Sequence, residues 1–172
     1  MSVIVRNLQR VVGIRVKQFH MDIVHLKRIS GYDEFELGVL LVSNEEIKTL
    51  NQTYRNHNEV TDVLAFPFHE IPEHLAGSVP EVNDDEKMLG DIVLGVPYIL
   101  SDAMKHGDDF NSVMLTMVAH GLFHVVGFDH ETPEQWTIMY NKELDILKKF
   151  NKLTGYKCSP LLGVGHIQGT EY

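Results

Sequence analysis

The chain has 172 residues, 44% of them hydrophobic and 23% charged, the proportions of one soluble domain with a core of its own. No apolar run reaches the roughly 18 residues of a membrane span, and a single cysteine, Cys158, excludes an internal disulfide and a thiolate metal site, which fits a reducing compartment rather than secretion. The formal net charge of −9 argues against nucleic-acid binding through overall basicity.

That charge is unevenly spread. Residues 1–28 hold Arg6, Arg10, Arg15, Lys17, Lys27 and Arg28 against Asp22 alone, an end that suits either an anionic partner or a solvated surface. The absence of acid before Asp22 is also a trait of mitochondrial transit peptides. The segment is poor in serine, however, and VIVRNL alternates like a first strand.

Next, Phe19, Ile23, Leu26 and Ile29 recur at helical spacing before Gly31, predicting a helix from about Gln18 to Ile29. ELGVLLV reads as a buried strand. Ser43, three residues before Glu46, opens a helix through about Tyr54. TDVLAF is the following strand, broken by Pro67. Residues 67–88 form a long acidic loop, a length typical of functional or partly disordered segments. LGDIVLG is a strand, Pro97 fits the first turn of a helix reaching about His106, and a second helix covers about Phe110 to Val126. Thr132, Pro133 and Gln135 start a last helix, with a core stripe of Trp136, Met139, Tyr140, Leu144, Leu147 and Phe150. The expected fold is α+β: a mixed four-stranded sheet packed against helices, with a metal-binding helix in a cleft. Residues 1–155 are expected to form one domain and 156–172 a C-terminal tail.

The chemistry concentrates in HGLFHVVGFDH. His120 and His124 are four apart, one turn apart on one helical face, and Gly127 lets the helix stop so that His130 can return to the same ion. Three imidazoles leave a fourth position for water, the pattern of catalytic zinc, although nickel, cobalt or copper would also be accepted. Asp129 and Glu131 flank His130 and are candidates to orient a ligand imidazole. Metalloproteases with this spacing carry a glutamate base after the first histidine; here the residue is Gly121. A zinc-bound water ionises near neutral pH without that base, so hydrolysis is not forbidden, but amide cleavage is disfavoured. An arginine would suit phosphodiester hydrolysis, and Arg55, at a predicted helix-to-strand connection, is the candidate.

HGLFHVVGFDH, LNQTYRNHNEVTDVLAFPF and LGDIVLG together resemble the YbeY family, single-strand-specific endoribonucleases tied to ribosomal RNA maturation. The three blocks span about residues 51–130 in matching order, and the resemblance extends over residues 3 to about 155. VIVRNLQRVV and TDVLAFPFHE resemble animal, mitochondrial-type members, which implies the mitochondrial matrix, with the cytoplasm as the alternative. The resemblance further implies that His120, His124 and His130 hold one Zn2+, that Arg55 acts with the zinc-bound water in RNA cleavage, and that Thr61, Asp62 and Asp91 line or brace the cleft. It implies single-stranded ribosomal RNA and a small ribosomal subunit protein as partners, and no membrane. The acidic 67–88 segment departs from the family and would repel RNA unless folded away from the cleft. Two other readings stand beside the nuclease: a metallopeptidase-like hydrolase, and a non-catalytic ribosome assembly factor with structural zinc.

Overall fold

The computed structural model describes residues 2–161. Strands β1 (Val3–Asn7), β2 (Glu36–Val42), β3 (Val63–Pro67) and β4 (Met88–Gly95) form one sheet in the order β1-β2-β4-β3. β1 and β4 run parallel to β2, and β3 pairs antiparallel with β4. Five helices complete the chain: α1 (Val16–Ile29), α2 (Asn44–Arg55), α3 (Val96–His106), α4 (Phe110–Val125) and α5 (Pro133–Thr154). The expected α+β architecture is therefore the observed one. Pro67 ends β3 from within, as its last paired residue, opposite Gly90.

The helix starts follow their capping chemistry. Ser43 Oγ accepts from Glu46 N at 3.2 Å, and Asp109 accepts from both the amide and the hydroxyl of Ser112. Thr132 and Gln135 close a reciprocal capping box. Each satisfies amides that the first turn leaves without helical partners.

Alternation along the strands separates two faces. Leu37, Val39 and Leu41 of β2, with Ile92 and Leu94 of β4, join the main core with α1, α3, α4 and α5. Val42, Leu64 and Val93 face the other way and form a smaller core with Ile47 of α2. On the main face α4 lies against β3 and β4, and α5 packs on α1 and α4 from outside. A helix held between a sheet and another helix must be apolar nearly all round, and α4 is, with Met114 through Phe123 buried without a break.

The charge pattern at the N-terminus is partly internal. Lys27 is 1% exposed and donates to the carbonyls of Asp33 and Phe35, tying α1 to the approach of β2. Asp22 is also buried and accepts from Gln18 Nε2 at 3.0 Å and Tyr156 Oη at 2.7 Å. The described start of the expected tail, residues 156–161, packs back on the helices. Tyr156 stacks on Phe150, and the Cys158 backbone makes two hydrogen bonds with the Asn151 side chain. Residues 162–172 of the expected tail lie outside the described residues. Among the described residues, no helix is long and apolar enough to cross a membrane.

Candidate metal centre

The end of α4 builds the centre. Gly127 N donates to His124 O at 3.0 Å and Phe128 N to Phe123 O at 2.9 Å, the paired bonds of a Schellman turn. Gly127 has φ of 101°, a conformation that favours glycine. Phe128 completes the turn edge-on against Phe123, with ring centroids 6.1 Å apart. This reversal returns the chain so that ligand atoms of His120, His124 and His130 lie within 4.8 Å of one another.

Two of the three rings are fixed by their Nδ1 atoms. His124 Nδ1 lies 3.0 Å from Phe128 O. A carbonyl only accepts, so that nitrogen carries the proton and Nε2 bears the lone pair. His120 Nδ1 donates to Glu143 Oε1 at 2.9 Å. Glu143 is wholly buried on α5. Burial, reinforced by His120 and His130 alongside, pushes the His124 imidazole down to about 3, so it is neutral at physiological pH. The two Nε2 atoms lie 3.0 Å apart, and His130 converges on the same point. Bonds of 2.0–2.1 Å at tetrahedral angles place ligand atoms about 3.3 Å apart. The donor set and its spacing therefore fit a divalent metal ion.

Burial raises the Asp62 carboxyl above the ordinary carboxylate range, partly offset by the nearby His120 ring and the backbone amide of Val63. Its Oδ1 also accepts from Val63 N at 2.7 Å, so the residue both starts β3 and borders the histidines. Thr61 donates to the same oxygen at 3.4 Å. Asp129 accepts from the backbone amide of His130 at 2.8 Å and acts on His124 through its charge. Glu131 is exposed. The carboxylate bonded to a histidine ring is thus Glu143 rather than either acid flanking His130. Sequence reasoning missed it because Glu143 stands 23 residues from His120. The available signal was an acid inside the apolar stripe of α5, between Met139 and Ile146 and one turn from Leu147.

Asp91 does not join the cluster. It pairs with Gly38 and Phe66, on the face of the sheet away from α4, where the bare Gly38 leaves room for its carboxylate. Arg55 is exposed at the end of α2 and has no carboxylate partner among the described residues. The preceding Tyr54 packs edge-on against Phe66 of β3, centroids 5.0 Å apart.

Gly121, where a peptidase would carry its base, faces the sheet. A Cβ there would stand 2.8 Å from Ile92 Cγ2, closer than real side chains approach. A glutamate at this position would drive α4 off β4. Met139 lies buried inside α5, so it supplies no methionine turn. Both observations count against the peptidase reading.

Fold and centre together define an α+β protein with three convergent histidines, on and just beyond one buried helix, that could hold a metal ion. The family model described as Endoribonuclease YbeY matches residues 5–151, and the chain belongs to that family. It is 42% identical over 163 residues to the human protein named Endoribonuclease YbeY, covering 94% of this chain and 95% of the human one. A protein of that name from Desulforamulus reducens is 34% identical over 153 residues, covering 87% of this chain and 97% of its own. Among solved structures, that of TM1509 from Thermotoga maritima superposes with a TM-score of 0.53 at 20% identity, covering 92% of this chain and 98% of its own, a likeness of fold.

Proposed function

We propose that the chain is a metal-dependent endoribonuclease that cleaves single-stranded RNA, acting on ribosomal RNA during ribosome maturation. The observation that carries this reading is the convergence of His120, His124 and His130, whose ligand atoms lie within 4.8 Å of one another, in a member of the Endoribonuclease YbeY family. His120, His124 and His130 are assigned as ligands of one zinc ion, which suits three neutral imidazoles with an open position. When bound, zinc supplies Lewis acidity and a hydroxide source at neutral pH.

The remaining parts belong to the chain. Glu143 and the Phe128 carbonyl hold two ligand rings in the tautomer that leaves Nε2 free. Arg55 offers a planar fork to the non-bridging phosphoryl oxygens, where charge builds in the transition state. Thr61, Asp62 and Asp129 brace the cleft around the histidines. The finer setting follows family resemblance: a small ribosomal subunit protein as partner, and the mitochondrial matrix as compartment, with the cytoplasm as the alternative.

The test is cleavage of a single-stranded 3′ fragment of ribosomal RNA by zinc-loaded protein, beside folded His124→Ala and Arg55→Ala variants. Cleavage lost in both variants is expected. Equal cleavage in all three would mean a contaminating nuclease, and none in any would favour a non-catalytic assembly factor. Product ends then fix the nucleophile: 5′-phosphate ends for attack by water, 2′,3′-cyclic phosphates for attack by the RNA 2′-hydroxyl.

A further inference from the structure

The loop between β3 and β4 has no part in the nuclease reading so far, and its charge is awkward for one. Glu70, Glu73, Glu81, Asp84, Asp85 and Glu86 all fall within it, and phosphate would be repelled. Yet the loop is fastened beside the histidines. Phe68 N donates to Leu89 O at 3.0 Å, and Gly77 N donates to Val126 O, at the end of α4, at 2.8 Å. His69 Nε2 donates to Glu86 O at 2.9 Å across the base of the loop, and Tyr32 Oη donates to Gly77 O at 2.9 Å. Ile71 lies so close to Gly127 that a Cβ there would stand 2.9 Å from its Cγ2. The turn that delivers His130 is therefore also the surface on which the loop rests.

Between the loop and α4 lies an open cavity of about 430 Å³, lined by Pro67, His69, Glu70, Ile71, Pro72 and Val125 together with the metal-site His124. This volume falls within the roughly 300–1,000 Å³ of small-ligand sites. Apolar Pro67, Ile71, Pro72 and Val125 share its walls with His69 and His124, its one acid is Glu70, and it meets the metal site at His124.

We propose that this cavity is a nucleobase pocket flanking the scissile phosphate, in which Glu70 reads the Watson–Crick edge of the base and favours guanine. The inference rests on the nuclease reading above. A carboxylate excludes phosphate from the pocket and leaves the base as the part of RNA that can enter. Apolar side chains give a flat ring two faces to lie between, as in other recognition of splayed single-stranded bases. Guanine presents two adjacent donors, N1–H and the N2 amino group, which a carboxylate accepts together. Adenine and cytosine offer one amino group, and uracil offers one N–H between two carbonyls that a carboxylate repels. The acidic loop thus sets which base may sit beside the cut, while Arg55 serves the phosphate.

The test compares zinc-loaded wild type and Glu70→Gln on four short single-stranded RNAs that differ in one base at the cleavage site. In parallel, guanosine and uridine 5′-monophosphates are titrated into each protein while the Ile71 and Val125 methyl resonances are followed. A bidentate base contact discriminates by about tenfold or more. The wild type should therefore cut the guanine substrate at least about tenfold faster than the uracil one, and Glu70→Gln should abolish the difference. Only the guanine nucleotide should move the two methyl resonances, and only in the wild type. Equal rates for all four RNAs, a guanine preference that survives Glu70→Gln, or equal shifts with uridine would overturn the pocket and leave the nuclease standing. No cleavage of any RNA would overturn both.

Discussion

Replacing Gly121 with alanine sets two local effects against each other. Within a helix alanine is favoured over glycine by about 1 kcal/mol. Here the added methyl would stand 2.8, 3.1 and 3.2 Å from Ile92 Cγ2, Cγ1 and Cδ1. Both positions are fully buried. Ile92 sits on β4, paired on both sides by β2 and β3, and α5 backs α4, so neither partner can retreat. Overpacking of a filled core costs about 1–3 kcal/mol. The collision should win, for a net loss of about 1 kcal/mol, or roughly 2–4 °C in Tm for a domain of this size. Ile92→Ala removes all three offending atoms and alone costs about 2–5 kcal/mol through the cavity it leaves. In that background Gly121→Ala fills the space and should stabilise. Urea denaturation of the four proteins in the cycle reads both signs. If Gly121→Ala stabilises the otherwise wild-type chain, the close contact of α4 with β4 is wrong, and so is the explanation of the missing peptidase base.

Glu143→Gln keeps the shape beside His120 and removes the charge that strengthens the imidazole as a ligand. Zinc affinity, measured by competition with a chromogenic chelator, should fall about 10–100-fold, and unchanged affinity would deny Glu143 that role. Tyr156→Phe deletes the 2.7 Å hydrogen bond to buried Asp22. It should cost about 2 kcal/mol in urea unfolding, whereas no change would mean that residues beyond Gly155 do not stabilise the domain. Burial pushes the Cys158 thiol up to about 11, so folding favours its neutral form. That contribution is complete below pH 9 and is lost as pH rises through 11. Wild-type stability should therefore fall more steeply than that of Cys158→Ala between pH 9 and 11, and parallel curves would refute the assignment.

Much of this was legible because the deciding chemistry is local. Ser43 with Glu46, Thr132 with Gln135, and Gly127 name their own helix ends, and the strict apolar run of β2 could be read to the residue. The triad of histidines was legible because its spacing is set by one helical turn and one reversal. What escaped depended on elements meeting in space. Glu143 reads as a polar break in the α5 stripe until α5 lies across α4. Asp91 looked like a cleft residue, but strand alternation combined with the order β1-β2-β4-β3 puts it on the opposite face. The loop after Pro67 reads as solvent-exposed acid, and only the contacts of Ile71 and Gly77 with the end of α4 show it as a wall of the site. Gly121 read as a missing base, whereas its cause is the closeness of Ile92.

The central claim is that the three histidines form the metal centre of a ribonuclease, and the most direct measurement follows metal occupancy and RNA cleavage together. The purified protein is stripped with a chelator, refilled stepwise with zinc, and assayed at each step on single-stranded RNA, with metal content determined by mass spectrometry. Saturation at one zinc per chain is expected, with cleavage absent at zero and rising in proportion to occupancy, and neither binding nor cleavage in His120→Ala. Metal-free protein that cleaves as fast as the loaded form, or a His120→Ala variant that binds and cleaves like the wild type, would contradict it.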